Sequence, residues 1–257
     1  MAHFYLVDDL TEAVPGSTVT VAGSEARHAV TVSRVRVGEA LTLGDGRGLV
    51  VRGEVVEATG DRLSLVVETV DAHPRPAVRL ALAQALAKGD RDELAVQAAT
   101  ELGVDEVVPW SASRSVSRWE GPKVAKGLAR WRAVTREATK QAVRPWAPEV
   151  VDLATTKQVA ARTARGRVLV LDPRAEVALS EVDLSDVDRT DVDPTAAGGA
   201  APVVTVVVGP EGGVSPAELA LMVEAGATPV RLGDSVLRTS TAGPAALAVL
   251  SVRLGRW

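Results

Sequence analysis

Apolar and polar residues along this chain follow two different periods, and the change falls near residue 73. Before it, residues 3–7, 17–21 and 39–43 read as short strands, and 49–57 and 62–70 alternate apolar with polar side chains well enough to be two more, the pattern of half-buried strands. Gly44-Asp45-Gly46-Arg47-Gly48 is a hairpin-type turn signal between two of them, and a brief helical piece is expected over 25–32. Short strands joined by Gly-rich turns predict a small β-barrel. His73-Pro74-Arg75-Pro76 then punctuates the chain, dividing it into domains 1–72 and 73–257.

Beyond that boundary, strands and helices take turns. Strands are expected over 78–85, 104–108, 167–171, 203–208 and 229–232. Residues 90–102 form a helix with Leu94, Ala98 and Leu102 on one face and Gly103 as its stop. A long helix opens at Pro122, repeats Val124, Leu128, Trp131, Val134, Ala138 and Ala142 at three and four, and ends before Pro145. A shorter helix runs from Pro216 to about residue 224, and an Ala/Leu/Val helix follows Pro244 to about residue 254. This order predicts an α/β domain built on a mostly parallel sheet. The Asp-, Ala- and Gly-rich stretch 180–202 reads as a poorly ordered surface loop, because its five aspartates lack calcium-loop spacing.

Two loops stand out as ligand-binding candidates. The first follows the β-branched run 203–208: Gly209-Pro210-Glu211-Gly212-Gly213-Val214, then Ser215-Pro216-Ala217-Glu218 as a capped helix start. Glycine permits close backbone approach and unusual dihedrals there. Neither a phosphate loop nor a dinucleotide fingerprint fits, so ATP and nicotinamide are not expected. The second loop, residues 233–244, follows the next strand. Two loops after consecutive strands are placed to wall one pocket at the strands' carboxyl ends.

The chain of 257 residues has no cysteine, which excludes disulfides, thiolate metal sites and a cysteine nucleophile. Its histidines, His3, His28 and His73, have no ligand spacing, so no metal is expected. With no secretory leader and no long apolar run, a cytoplasmic location is expected. The formal charge of −4 hides a basic stretch: residues 114–144 hold nine Lys/Arg against two acids. A phosphate backbone would meet such a patch, although a solvated amphipathic helix produces the same pattern. Trp119 and Trp146 could stack on bases or pack internally.

At the two loops the sequence resembles the RsmE family, which methylates N3 of a uridine in 16S ribosomal RNA. The resemblance rests on Gly209 to Ser215, Leu232-Gly233, and Val236-Leu237-Arg238-Thr239-Ser240-Thr241-Ala242. It extends to Ala83-Gln84-Ala85-Leu86-Ala87-Lys88-Gly89-Asp90-Arg91, Gln97 to Val104, Ser113-Arg114-Ser115-Val116 and Arg130-Trp131. These motifs occur in the family's order over nearly the whole chain. The resemblance implies a SPOUT-type parallel sheet with a C-terminal trefoil knot after a PUA-like β-barrel that binds RNA. It also implies S-adenosyl-L-methionine as cofactor, a homodimer, and 16S ribosomal RNA or the assembled small ribosomal subunit as partner, with no membrane. Carried onto this chain, Gly209, Pro210, Glu211, Gly212, Gly213, Leu232, Gly233, Val236, Leu237, Arg238 and Thr239 surround the cofactor. Arg238 and Glu211 are the catalytic candidates; Arg27, Arg114, Arg132, Arg136, Lys140 and Arg144 are the RNA-binding ones. The chain departs from the family at His3, Arg27-His28, Ala142-Val143-Arg144 and Ser240. A ribose 2′-O methyltransferase and a non-catalytic ribosome-assembly factor are the alternatives.

Overall fold

The computed structural model describes residues 4–187 and 201–257. Its contacts divide the chain into two compact units, one comprising the chain up to Arg75 together with Thr139–Ala147, the other Pro76–Ala138 with Pro148–Trp257.

The first unit contains β1 (Phe4–Leu6), β2 (Thr18–Ala22), α1 (Ser24–Arg27), which continues as a π-helical turn over His28–Val32, β3 (Ala40–Gly44), β4 (Leu49–Thr59) and β5 (Arg62–Ala72). They form one sheet in the order β1-β3-β4-β5-β2, with only β1 and β3 parallel. Alternation along the strands sends Leu41, Leu43, Val51, Val55, Leu63, Leu65 and Val67 into a core with Tyr5. Register shifts skip Glu68 of β5 opposite Arg52/Gly53 and Val56 of β4 between Val55 and Glu57, irregularities of the kind that bend a strand and increase its twist. The segment Thr139–Ala147 packs into this unit although its pattern continues a helix of the second. Lys140 Nζ lies 3.1 Å from the Glu25 carboxylate, and Trp146 Nε1 donates to the His73 carbonyl at 3.0 Å. The Arg75 guanidinium sits 4.3 Å over the Trp146 ring. His3, expected to open the first strand, lies outside the described residues.

The second unit runs β6 (Arg79–Ala85), α2 (Arg91–Glu101), β7 (Glu106–Trp110), α3 (Pro122–Gln141), β8 (Glu149–Val150), α4 (Thr156–Ala160), β9 (Val168–Leu171), β10 (Val203–Val208), α5 (Pro216–Glu224), β11 (Thr228–Val230) and α6 (Thr239–Arg253), the last turn of α3 belonging to the first unit. Its sheet, ordered β11-β9-β10-β6-β7-β8, is parallel throughout. Every residue of β10 is buried, which is why that strand reads as an unbroken apolar run. The chain moves outward from β6 through β7 to β8, crosses to β9, and only then fills the gap between β9 and β6 with β10. The reversal of strand order leaves a crevice at the carboxyl ends, the usual ligand position in open α/β sheets.

Two sequence expectations differ from the fold. The last helix begins at Thr239, five residues before Pro244, which therefore lies inside it. A proline there removes one helical hydrogen bond, but the first turns are buried and Gly243 packs so tightly that a Cβ would stand 2.8 Å from Leu82; burial against β6 holds the helix past the proline. The acidic stretch is also not wholly a surface loop. Leu179, Val182, Leu184 and Val187 enter the main core, while Arg253 donates to the carbonyls of Leu179 and Val182 at 2.9 and 2.5 Å. Asp188, Asp191 and Asp193 lie outside the described residues.

Candidate functional site

Three neighbouring strands, β9, β10 and β11, end at Leu171, Val208 and Val230, and the segments that follow them line one cavity of about 550 Å³. Residues 172–174, 209–214, 231–233 and 235–239 form most of its wall, with Arg91 and Arg114 on the side of β6 and β7. All of Gly209, Pro210, Glu211, Gly212, Gly213, Leu232, Gly233, Val236, Leu237, Arg238 and Thr239 meet there.

The turn after β10 is held at several points. Gly213 has φ +68° and donates its N–H to the Pro210 carbonyl at 2.8 Å. A Cβ on Gly209 would stand 2.9 Å from the Val214 nitrogen, too close for any side chain. Ser215 caps α5 through a reciprocal box with Glu218. The Glu218 carboxylate also accepts the Ser113 N–H and hydroxyl, each at 2.7 Å, and the Thr156 hydroxyl at 3.1 Å. Burial pulls the Glu218 carboxyl upward, but the Ser215 and Ser113 donors outweigh it and hold the group below the usual carboxylate range.

Glu211 makes a second tie. One carboxylate oxygen accepts the Lys88 N–H and the Arg91 guanidinium, both at 3.1 Å. Partial burial raises this carboxyl, yet hydrogen bonds from its own N–H, the Lys88 N–H and Arg91 bring it below its ordinary value. Arg114 donates to the Gly212 carbonyl at 3.0 Å from the opposite side. The turn is thus bound to the loops after β6 and β7.

The start of α6 is joined to the same turn. The Thr239 hydroxyl donates to the Gly209 carbonyl at 2.9 Å and accepts from Nε2 of the fully buried Gln84, also at 2.9 Å. Arg238 is the N-cap residue by backbone position, and its side chain is exposed on the cavity wall. Val236 and Leu237 are exposed apolar residues lining the same cavity.

The basic residues divide between the two units. Arg114 lines the cavity, whereas Arg132, exposed on α3, reaches the Val150 carbonyl at 3.4 Å; Arg136 is half-buried on the same helix. Arg27, Lys140 and Arg144 belong to the first unit. Lys140 has only 11% of its side chain exposed and is paired with Glu25, so its ammonium is not presented to solvent as the helical pattern suggested. Sequence reading missed Arg91, Asp172, Pro173, Arg174, Arg231 and Ser235 at the cavity. The end of the strand expected over 167–171 was visible, but nothing local shows that this strand lies between the two glycine loops. Among the described residues no group of three His, Cys, Asp or Glu is arranged to hold a metal ion, and no helix is long and apolar enough to cross a membrane.

Comparison with known proteins assigns both units. Residues 73–251 match the RNA methyltransferase domain family and residues 21–68 the RNA methyltransferase PUA domain family. The chain is 40% identical over 264 residues to a ribosomal RNA small subunit methyltransferase E of Mycobacterium tuberculosis, covering 100% of this chain and 94% of that one. It is 28% identical to the Bacillus subtilis protein of the same name, covering 91% and 90% of the two chains. The crystal structure of ribosomal RNA small subunit methyltransferase E from Neisseria gonorrhoeae, bound to S-adenosyl methionine, superposes with a TM-score of 0.82 at 25% identity, covering 98% of each chain. With both domain families matched in order and the likeness running from end to end, the chain belongs to the ribosomal RNA small subunit methyltransferase E family of RNA methyltransferases.

Proposed function

We propose that this protein transfers a methyl group from S-adenosyl-L-methionine to N3 of a specific uridine in 16S ribosomal RNA of the small ribosomal subunit. The observation that carries the reading is the cavity at the carboxyl ends of β9, β10 and β11, into which both glycine-bearing loops open. Its residues suit the cofactor: Leu171, Val208, Leu232 and Leu237 offer apolar wall, and a Cβ on Gly213 or Gly233 would meet no protein atom within 4 Å. Glycine at these positions leaves space for a ligand. When bound, the cofactor supplies a methyl carbon made electrophilic by its sulfonium.

The chain's own residues have three tasks in this reading. The tied turn at 209–214 and the start of α6 hold the ligand so that nucleophile, methyl and sulfur lie in line. Uridine N3 must lose its proton to attack, and the charge that develops spreads onto the flanking carbonyl oxygens. Arg238, exposed on the cavity wall, is placed to stabilise that charge. Glu211, held ionised by its donors, balances positive charge and anchors the turn; a carboxyl lowered below its usual range is a weak proton acceptor, which favours this part over general base. The products are N3-methyluridine, S-adenosylhomocysteine and a proton. Because N3 is the pairing edge of the base, the target uridine must be unpaired or extruded.

RNA contact is assigned to Arg27, Arg114, Arg132, Arg136 and Arg144, with Lys140 reassigned to support within its unit. The homodimer is supported by Leu94, Val252 and Trp257, apolar side chains left exposed on α2, on α6 and at the chain end. The trefoil knot is supported by the seating of Thr239 and Gly243 against β6 and the turn after β10. A ribosomal substrate puts the protein in the cytoplasm. The test is transfer of labelled methyl to unmodified small subunits and, separately, to naked 16S RNA, followed by nucleoside analysis. N3-methyluridine is the expected product; a 2′-O-methylated nucleoside, or no transfer while cofactor still binds, would refute the assignment.

A further inference from the structure

Four arginines other than Arg238 line the cavity, and three of them are tied to the protein through a single nitrogen, Nη1. Arg91 is held by Glu211, Arg114 by the Gly212 carbonyl, and Arg231 by the carbonyls of Ala175 and Glu176. Arg174 is different. It follows β9, the strand between β11 and β10, so its segment emerges between the two glycine-bearing loops. Its backbone N–H and Nε donate to one oxygen of the Asp172 carboxylate at 2.9 and 3.0 Å, and Nη2 donates to the other at 2.8 Å. Asp172 is itself buried, its side chain only 6% exposed, and its N–H is fixed on the Val230 carbonyl at 2.9 Å. A buried carboxylate that takes Nε and one Nη of an arginine locks the plane of the guanidinium and leaves its far edge free. Among the described residues Nη1 has no protein acceptor, and 69% of the Arg174 side chain is exposed.

We propose that Arg174, oriented by Asp172, binds the amino-acid carboxylate of the cofactor. A planar guanidinium with a locked orientation matches a carboxylate in charge and shape, and the neutral Asp172–Arg174 pair adds no net charge near a cationic sulfonium. The central position of β9 favours a ligand held within the cavity over an RNA phosphate crossing its mouth. Asp172 is the positioning residue, and Arg174 contacts the ligand. The inference rests on the cofactor reading above and extends it to one functional group.

Two ligands that differ in that group make the test. S-adenosylhomocysteine carries the amino-acid carboxylate, whereas 5′-methylthioadenosine keeps the nucleoside and thioether without it. Affinities of both are measured by calorimetry for the full chain and for Arg174→Ala and Arg174→Gln, the latter keeping a donor for Asp172 in case Arg174→Ala destabilises the loop. Each variant is expected to lose about ten- to a hundredfold in affinity for S-adenosylhomocysteine, the range for a hydrogen bond to a charged group, with 5′-methylthioadenosine unchanged. Asp172→Asn should lose less, in the same ligand-selective way, and Arg238→Ala should leave the preference between the two ligands intact. Equal losses for both ligands would reduce Arg174 to a structural residue. Unchanged binding of both ligands with weaker binding to small subunits would hand it to an RNA phosphate, and transfer of the selectivity to Arg238 would also overturn the assignment. If the unmodified protein binds neither ligand, the cofactor reading itself fails.

Discussion

The parallel sheet uses arginine in opposite ways at its two edges. At the amino-terminal edge, Glu106 opens β7 with 1% of its side chain exposed and takes both Arg162 and Arg165, while Arg162 also donates to Thr205 of β10. Next to it, Asp105 accepts the Leu80 N–H at 2.8 Å and Arg256 at 2.7 Å. Burial raises the Glu106 carboxyl, but the two guanidinium groups win and hold it below the usual range. At the carboxyl-terminal edge, Arg174 and Arg238 instead present donors to a cavity. Both ends use a buried acid, but Arg162 is closed in against Glu106 with 10% of its side chain exposed, whereas Arg174 keeps 69% exposed beside the cavity. Exposure of the guanidinium, and not the presence of an acid partner, separates the two uses.

Substitutions on the two edges should therefore fail differently. The largest effect is expected for Arg238→Ala. Turnover should fall by roughly a hundred- to a thousandfold if it stabilises developing charge, more than cofactor affinity falls, with melting temperature nearly unchanged. Steady-state kinetics beside calorimetry measures the split; equal losses in both would break the comparison on the functional side. Next comes Glu106→Gln, which strands two guanidinium groups and should cost about 3 kcal/mol of stability while leaving cofactor affinity intact in the folded fraction. Denaturant titration reads the first quantity and ligand calorimetry the second.

The same pair predicts a pH dependence. Glu106, Glu211 and Glu218 all have folded-state values below the ordinary carboxylate value. Their contribution is thus fully present above the unfolded value of about 4.3 and disappears as pH falls through the folded values. Melting temperature should be insensitive to these groups near neutrality and drop on the acid side, and Glu106→Gln should flatten that acid limb. A drop centred near neutrality would assign the loss to other groups.

Glu218→Gln sharpens the comparison from within the site. One carboxylate oxygen becomes an amide donor facing the Ser113 and Ser215 hydroxyls, so the turn should loosen and cofactor affinity fall about tenfold, in keeping with a bond to a charged acceptor. The smallest effect is expected for Arg132→Ala: weaker binding to small subunits and a salt slope shallower by about 0.7 to 0.9, as for one lost phosphate contact. An unchanged slope would return that face of α3 to simple solvation.

Much of the site was legible because its signals are local. Gly209, Gly212, Gly213 and the Ser215-Glu218 box write a strand-turn-helix into consecutive residues, and the box forms as the spacing predicts. Pro244 misled for the same reason. A proline ordinarily marks a boundary, but burial of the α6 turns that precede and include it outweighs its local preference. Residues 180–187 were misread by composition, since the apolar Val182, Leu184 and Val187 are diluted among acids and small residues yet all enter one core.

The amino-acid sequence alone determined the alternation of strands and helices, the two loops, and the family to which their motifs belong, since each depends on residues close together in the chain. Tertiary structure decided the rest. Only the strand order β11-β9-β10 puts Asp172 and Arg174 between the loops, and only folding brings Ser113 and Thr156 to Glu218 across 105 and 62 residues. It likewise ties the segment 139–147 to the first unit rather than the second. Such partners leave no periodic trace, because a hydrogen bond needs two groups within about 3 Å in space and places no condition on their separation along the chain.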